Sequence, residues 1–368
     1  MPPTFPLTGS LRGLLLFDVA ESIDLERLHR ILGTHPSRRE PAFRHPAPEY
    51  VRFERPPVIE SVGSRPVRGR ESVEIRIRYF EYGVASVEMQ WPFCASCWED
   101  LTLLANRWMT SPDWESLAMS LLREALVRTG PALSRPYQEW ISEDYYVVQL
   151  DPIQTSLGAI LTAEQLVQER GGEIAQMVRG EEFPLSSTEC REVLQSTMSY
   201  YPTDLLVLGW VGAFIYDHRP AVGSTMDLLE YANTQLLEFR YYDEVLTRVL
   251  ADVYKRLEKR HTMWGRWKLA REAETLNTIR LDYQELVEHT DTAIKFLSDM
   301  FYARMYRLAA ARIGVNDYRH LVTDKLTTAR DLYDSMINEF HQGRAFFLEL
   351  SVVVILLVEI VFLLLRRA

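Results

Sequence analysis

Cys94 and Cys97 bracket two small residues in Trp91-Pro92-Phe93-Cys94-Ala95-Ser96-Cys97-Trp98, a spacing that can chelate zinc or exchange a disulfide. A zinc centre needs about four ligands, and neither a second CxxC nor a close Cys/His pair follows. A thioredoxin-like site would place the motif after a strand inside a βαβ unit. The expected role is structural, with both cysteines at a strand-to-helix junction. The 8 histidines are scattered, with no HxH or HExxH spacing to put two on one face. Asp217-His218 could pair a base with its orienter, but no GxSxG or other activated nucleophile accompanies it. Gly209-Trp210-Val211-Gly212 lacks the length and context of a phosphate loop. No catalytic residue, cofactor site or metal site is assigned, and the chain is read as non-enzymatic.

The remaining polar residues with an unusual setting are three acids in apolar surroundings. Glu349 and Glu359 lie in the C-terminal run from Phe346 to Leu365, which ends at Arg366-Arg367-Ala368. About 20 mainly apolar residues match a hydrocarbon core of roughly 30 Å. The expectation is a single transmembrane helix over 346–365, a tail anchor in the lipid bilayer, with the soluble region facing the cytosol. Glu359 would sit roughly 5 Å from the middle of that span at about 1.5 Å per residue. A carboxylate there costs on the order of 2.5 to 3.5 kcal/mol. Glu359, with Glu349 nearer the interface, is therefore a candidate helix–helix contact.

The third acid, Asp243, is the polar member of a seam formed by Leu229, Ala232, Leu236, Phe239, Leu246, Leu250, Val253 and Leu257. Steps of three and four place these residues along one helix face. After a break around His261 to Gly265, the pattern resumes from Leu276 to Met300. It begins again after Gly314-Val315-Asn316-Asp317, from Val322 through Phe340. Residues 223–345 thus read as a stalk of long antiparallel coiled-coil helices, with a homo-oligomer expected because narrow stripes must be covered.

Upstream, residues 1–222 read as an α/β soluble domain. Leu11 to Val19 predicts a strand and Ile23 to Leu32 a helix ended by Gly33. Val73 to Phe80 and Val84 to Met89 alternate with period two about a Glu81-Tyr82-Gly83 turn, which predicts a hairpin. Leu101 to Leu126 predicts helix, Tyr145 to Leu150 a strand, Ala163 to Glu169 a short helix ended by Gly171-Gly172, and Leu205 to Tyr216 a strand or strand pair. The Pro/Arg-rich stretch 35–70 reads as largely loop or edge structure of mixed charge, since its prolines remove backbone donors. The fold class so assembled is α+β: an N-terminal α/β domain, antiparallel coiled-coil helices, and a C-terminal transmembrane helix.

A chain of 368 residues with net charge −10 has no overall basic face with which to displace phosphate counterions, so no nucleic-acid partner is expected. Three cysteines are too few for a disulfide framework. The opening Met1-Pro2-Pro3-Thr4-Phe5-Pro6 lacks a basic n-region, and Asp18 interrupts the apolar Leu14 to Phe17, so a signal peptide is not expected.

In its order of parts the chain resembles the required for meiotic nuclear division 1 (RMD1/DUF155, YagE-like) family. The likeness is carried by Leu16-Phe17-Asp18-Val19-Ala20-Glu21, by Tyr79-Phe80-Glu81-Tyr82-Gly83-Val84, by the helix Leu229 to Asp243, and by heptads leading to a tail that contains Glu359. The resemblance implies a membrane-anchored interaction or scaffold protein with an unidentified protein partner, and it transfers no catalytic residue. A CorA-like ion-transport accessory, lacking the Gly-Met-Asn motif and a second span, is the alternative. A redox enzyme using Cys94 and Cys97 is a further one.

Overall fold

Every second residue along the central strands is apolar and buried, and this period of two places one whole face of a sheet against helices. The computed structural model describes residues 6–34, 56–67, 71–111, 113–154, 158–258 and 300–367, with helical positions 278–281, 283, 284 and 287 between the last two. The chain runs β1 (Leu7–Asp18), β2 (Ala20–Ile23), α1 (Leu25–Leu32), β3 (Val58–Val67), β4 (Glu71–Tyr79), β5 (Val84–Ala95), α2 (Trp98–Met109) and α3 (Asp113–Thr129). It continues through β6 (Leu133–Pro136), β7 (Ser142–Leu150), α4 (Ala163–Arg179), α5 (Ser187–Leu194), β8 (Thr197–Met198), β9 (Leu205–Leu208), β10 (Gly212–Tyr216) and α6 (Arg219–Glu258). Two more helices follow, α7 (Met300–Ile313) and α8 (Val315–Arg367).

The chain divides into two units, one of Met1–Arg240 with His289–Tyr318 and one of Tyr241–Glu288 with Arg319–Ala368. In the first, eight strands form a sheet in the order β3-β4-β5-β1-β7-β10-β9-β8, while β2 and β6 pair separately. Neighbouring strands are antiparallel except β7 and β10, which run parallel. Leu11, Leu15 and Phe17 of β1, Ile75 and Ile77 of β4, Val87 and Met89 of β5 and Val148 of β7 share one face. Leu101 and Trp108 of α2, Trp114 and Leu122 of α3, and Leu166 and Ile174 of α4 pack on it. Burying each such side chain contributes about 1.5 to 3 kcal/mol. Trp108 stacks on Trp91 at 5.4 Å between ring centroids and lies 4.1 Å from Trp114.

Local signals account for the element ends. Asp24 caps α1 by accepting from the Arg27 backbone N–H, and Gly33 closes it at φ 64°. Within 35–70, residues 58–67 form β3, an edge strand where Pro66 need not donate to a further neighbour. Residues 35–55 and 68–70 lie outside the described residues. The helix expected to stop at Gly171-Gly172 runs on to Arg179, and Gly171 serves packing instead, since a Cβ there would lie 2.9 Å from Leu194. Gly180, at φ 70°, is the true stop.

The fold-class expectation is also corrected. The architecture is a mixed α/β one built on a large sheet, and no long coiled coil is evident among the described residues. From Ser224 to Phe239, α6 is buried on nearly every side rather than along a narrow stripe, which makes it a core helix of the first unit. The second expected seam, 276–300, falls mostly outside the described residues. The expected tail anchor, and the single-pass, cytosol-facing membrane placement drawn from it, are overturned because no described helix is long and apolar enough to cross a membrane. Of the expected span, the described side chains offer only Val352–Val358 before Glu359 intervenes, roughly 10 Å of helix against about 30 Å of hydrocarbon.

Among the described glycines, the one in the β4–β5 turn has the closest backbone neighbour. Gly83 has φ 94°, its carbonyl accepts from Val19 N–H at 3.1 Å, and a Cβ there would lie 1.8 Å from the Ala20 carbonyl oxygen. Gly63, at the β3 bulge, has φ 86° with open space around it. Gly83→Ala is expected to lower unfolding free energy by at least about 2 kcal/mol, and Gly63→Ala by about 1 kcal/mol, as read from urea denaturation.

Candidate functional site

The opposite face of the sheet is where the sequence breaks the rule of an apolar interior. The residues alternating with the core set include Ser10, Arg12 and Asp18 on β1, Arg78 on β4, Ser86 and Glu88 on β5, and Gln149 on β7. Along α6, Asp227, Glu230, Thr234 and Glu238 recur at helical spacing on one side. Glu88, Glu230, Thr234 and Glu238 are all buried.

Arg78 is the hub. Its Nη1 donates to Asp227 Oδ1 at 2.5 Å and to Glu230 Oε2 at 2.6 Å, while its Nη2 stands 3.9 Å from Glu88 Oε2. Glu88 Oε1 accepts from Arg12 Nη1 at 3.0 Å, and Arg12 Nε donates to Ser10 Oγ at 3.3 Å. Ser10 Oγ donates to Gln149 Oε1 at 3.0 Å, and Gln149 Nε2 donates to Asp151 Oδ1 at 3.0 Å. This polar line crosses the adjacent strands β4, β5, β1 and β7, and through Arg78 it ties them to α6. Beside it, the Tyr82 and Thr234 hydroxyls share a hydrogen bond of 2.7 Å, and Arg240 pairs with Glu143.

Burial works against a charged Arg78, yet the Glu230, Asp227 and Glu88 carboxylates outweigh it and raise its pKa further, so the guanidinium stays charged. Glu230 is pushed up to about 7, because burial exceeds the pull of a guanidinium it shares with two other acids, and Glu88 adds repulsion. Asp18 is pushed up to about 8 by burial. Burial raises Glu238 well above the carboxylate range, and the nearby Asp18 adds to the shift. The arrangement is an ion network with a carboxyl pair next to it. It aligns no activated nucleophile, and among the described residues no group of three His, Cys, Asp or Glu side chains is placed to hold a metal ion.

The residues singled out by sequence lie elsewhere. Cys94, opposite Thr8 on β1, and Cys97, the N-cap of α2, occupy a strand-to-helix junction, and both are exposed free thiols rather than packing residues. Asp217 Oδ1 accepts from the His218 backbone N–H at 2.7 Å, a local turn bond, and the His218 side chain is exposed. Gly209 to Gly212 form the β9–β10 turn, closed by Gly209 N–H donating to Gly212 C=O at 2.9 Å. In the second unit, Asp243 accepts from Lys325 Nζ at 2.6 Å, and the same ammonium donates to Thr247 Oγ1 at 2.6 Å. Glu359 is exposed on α8, and the Glu349 side chain lies outside the described residues. Asp243 and Glu359 belong to the second unit and the Arg78 network to the first. The missed signal was the pair Arg76 and Arg78 alternating with Ile75, Ile77 and Tyr79 on β4, matched by Glu230 and Glu238 among the buried residues of α6.

A family model described as "Uncharacterized protein MJ0711, N-terminal domain" matches residues 8–221, the span from β1 to the start of α6. The chain is also 21% identical over 198 residues to the uncharacterized protein MJ0711 of Methanocaldococcus jannaschii, covering 54% of this chain and 61% of that relative. No solved structure matches.

Removing one member of a buried ion network leaves the others unpaired. Arg78→Ala is expected to cost about 3 to 5 kcal/mol of stability in urea unfolding. Arg76→Ala, which breaks the more exposed pair with Glu74, should cost under about 1 kcal/mol.

Proposed function

The chain belongs to the MJ0711 N-terminal-domain family, and we propose that it is a non-enzymatic interaction protein that self-associates through α8. The observation that carries this reading is the run Val352–Val358, seven consecutive apolar residues that are each 50 to 63% exposed. Seven consecutive positions cover every side of a helix, so one neighbouring element cannot bury them all. Exposed apolar surface of this kind marks an association site. A second copy supplies an identical helix and a self-complementary contact.

The likeness to the RMD1/DUF155 family supports an interaction or scaffold role over catalysis, since none of the segments that carry it is a catalytic signature. Within this reading the Arg78 network is structural: it fixes α6 on the first unit so that α8 is the element left to meet a partner.

The test is the molar mass of the full chain by multi-angle light scattering, alongside Val354→Asp/Leu357→Asp. The wild type is expected to be a dimer or larger and the double variant a monomer with an unchanged circular dichroism spectrum. Equal masses for the two proteins would remove the role assigned to α8.

A further inference from the structure

We propose that Cys94 and Cys97 form a reversible dithiol–disulfide pair at the strand-to-helix junction between β5 and α2, closed by exchange with a soluble disulfide of the glutathione type and reopened by a dithiol. The pair lies in the first unit, and the inference does not depend on the proposed function of α8.

Free cysteine is among the most buried of residue types and packs as a small apolar side chain. Cys94 and Cys97 depart from that rule, since both are exposed free thiols, whereas Cys190 is half-buried and its Sγ donates to the Leu185 carbonyl at 3.8 Å. The two exposed thiols are three residues apart, and the fold supplies the reason for each exposure. Phe93 and Ala95 are buried in the core, so alternation along β5 turns Cys94 outward. The β1–β5 ladder ends at Leu7 opposite Ala95, which leaves Cys97 outside the sheet. Cys97 is the N-cap of the 12-residue α2, and its side chain makes no capping bond. Two sulfurs fall short of the roughly four ligands of a zinc centre, and among the described residues no third His, Cys, Asp or Glu joins them.

A disulfide requires the two Cα atoms to lie within about 7 Å of each other, and a fully extended run of three residues spans about 10 Å. The chain does not stay extended: it bends at Ser96 and Cys97 before α2 begins at Trp98. The Ser96 backbone N–H and Oγ both donate to Asp100 Oδ2, at 3.0 and 3.1 Å, which holds the bend. On the helix side, the Cys97 carbonyl accepts from Leu101 N–H at 3.1 Å. The Trp98 ring lies 6.5 Å from that of Phe214 on β10 and 5.8 Å from the Arg170 guanidinium on α4, which anchors the first turn of α2. Neither thiol takes part in these contacts, so both can react while the bend between them stays in place.

The exchange balances between the pair and its oxidant. The thiolate of one cysteine attacks a sulfur of the soluble disulfide, forming a mixed disulfide and expelling one thiolate. The second cysteine, as its thiolate, attacks the protein sulfur of that bond, forms the Cys94–Cys97 bond and expels the other thiolate. The two protons given up by the cysteines end on the two expelled thiols. The protein thus loses two electrons and two protons, and the soluble disulfide gains them. An exposed disulfide is open to attack by a dithiol, which returns both cysteines to thiols.

The experiment equilibrates the full chain in buffers of fixed reduced glutathione and graded glutathione disulfide, quenches with acid, alkylates the remaining thiols and reads the peptides by mass spectrometry. The folded wild type is expected to give a peptide joined through Cys94 and Cys97 and lighter by two hydrogens, with Cys190 outside the bond, and to lose that bond on addition of dithiothreitol. Half-oxidation should need at least about tenfold less glutathione disulfide than for the same chain in urea, because the folded bend keeps the two cysteines together. Cys94→Ser and Cys97→Ser, changes at exposed positions, should each stop at a mixed disulfide between glutathione and the remaining cysteine. The pair is overturned if the folded wild type yields only mixed disulfides, links between copies or unreacted thiols, or if its advantage over the chain in urea falls short of tenfold.

Discussion

One guanidinium is asked to satisfy three carboxylates in a largely buried space. Arg78 sits between the sheet and α6, with Asp227 and Glu230 within 2.6 Å on the helix side and Glu88 on the sheet side. Such a charge cannot move without stranding its partners, since a buried ion left alone costs several kcal/mol. That constraint fixes which face of α6 meets the sheet and at what height along β4 and β5. The rest of the second face follows from it: Arg12 has to neutralise Glu88, and Ser10 and Gln149 then complete the line to Asp151.

The two faces of the sheet therefore obey different rules. The first is a plain hydrophobic core, tolerant of exchange among residues of similar volume. The second is polar and specific, and its hydrogen bonds set register more than they add stability. Gly83 belongs to the same logic from the other side. With a carbonyl at 1.8 Å from where a Cβ would be, it lets the strand-to-strand turn close against β2, which brings Tyr82 to Thr234 on α6.

Much of the first face is legible in the sequence because periodicity alone encodes it. The alternation through β4 and β5, the Gly33 stop and the β9–β10 hairpin are local signals, and the chain follows them. The second face is not local. Arg76 and Arg78 carry the same charge on the same side of one strand, yet Arg76 pairs with Glu74 near the surface and Arg78 is buried under residues about 150 positions away. Reading Leu229 to Leu257 as a coiled-coil seam failed for a related reason. The seam positions are apolar, but the positions between them are buried too: Leu228, Tyr231 and Leu237, and with them the polar Glu230, Asn233, Thr234, Gln235 and Glu238. The all-apolar appearance of the C-terminal run likewise says how it is exposed and not how far the described apolar helix extends.

The most direct test of the Arg78 hub is a double-mutant cycle of unfolding free energies with Arg78→Met, Glu230→Leu and the pair combined. A buried, hydrogen-bonded ion contact predicts a coupling energy above about 1 kcal/mol, with the double variant more stable than either single one, because apolar replacement leaves fewer stranded charges. Additive losses within about 0.5 kcal/mol would mean that Arg78 and Glu230 do not hold α6 to the sheet.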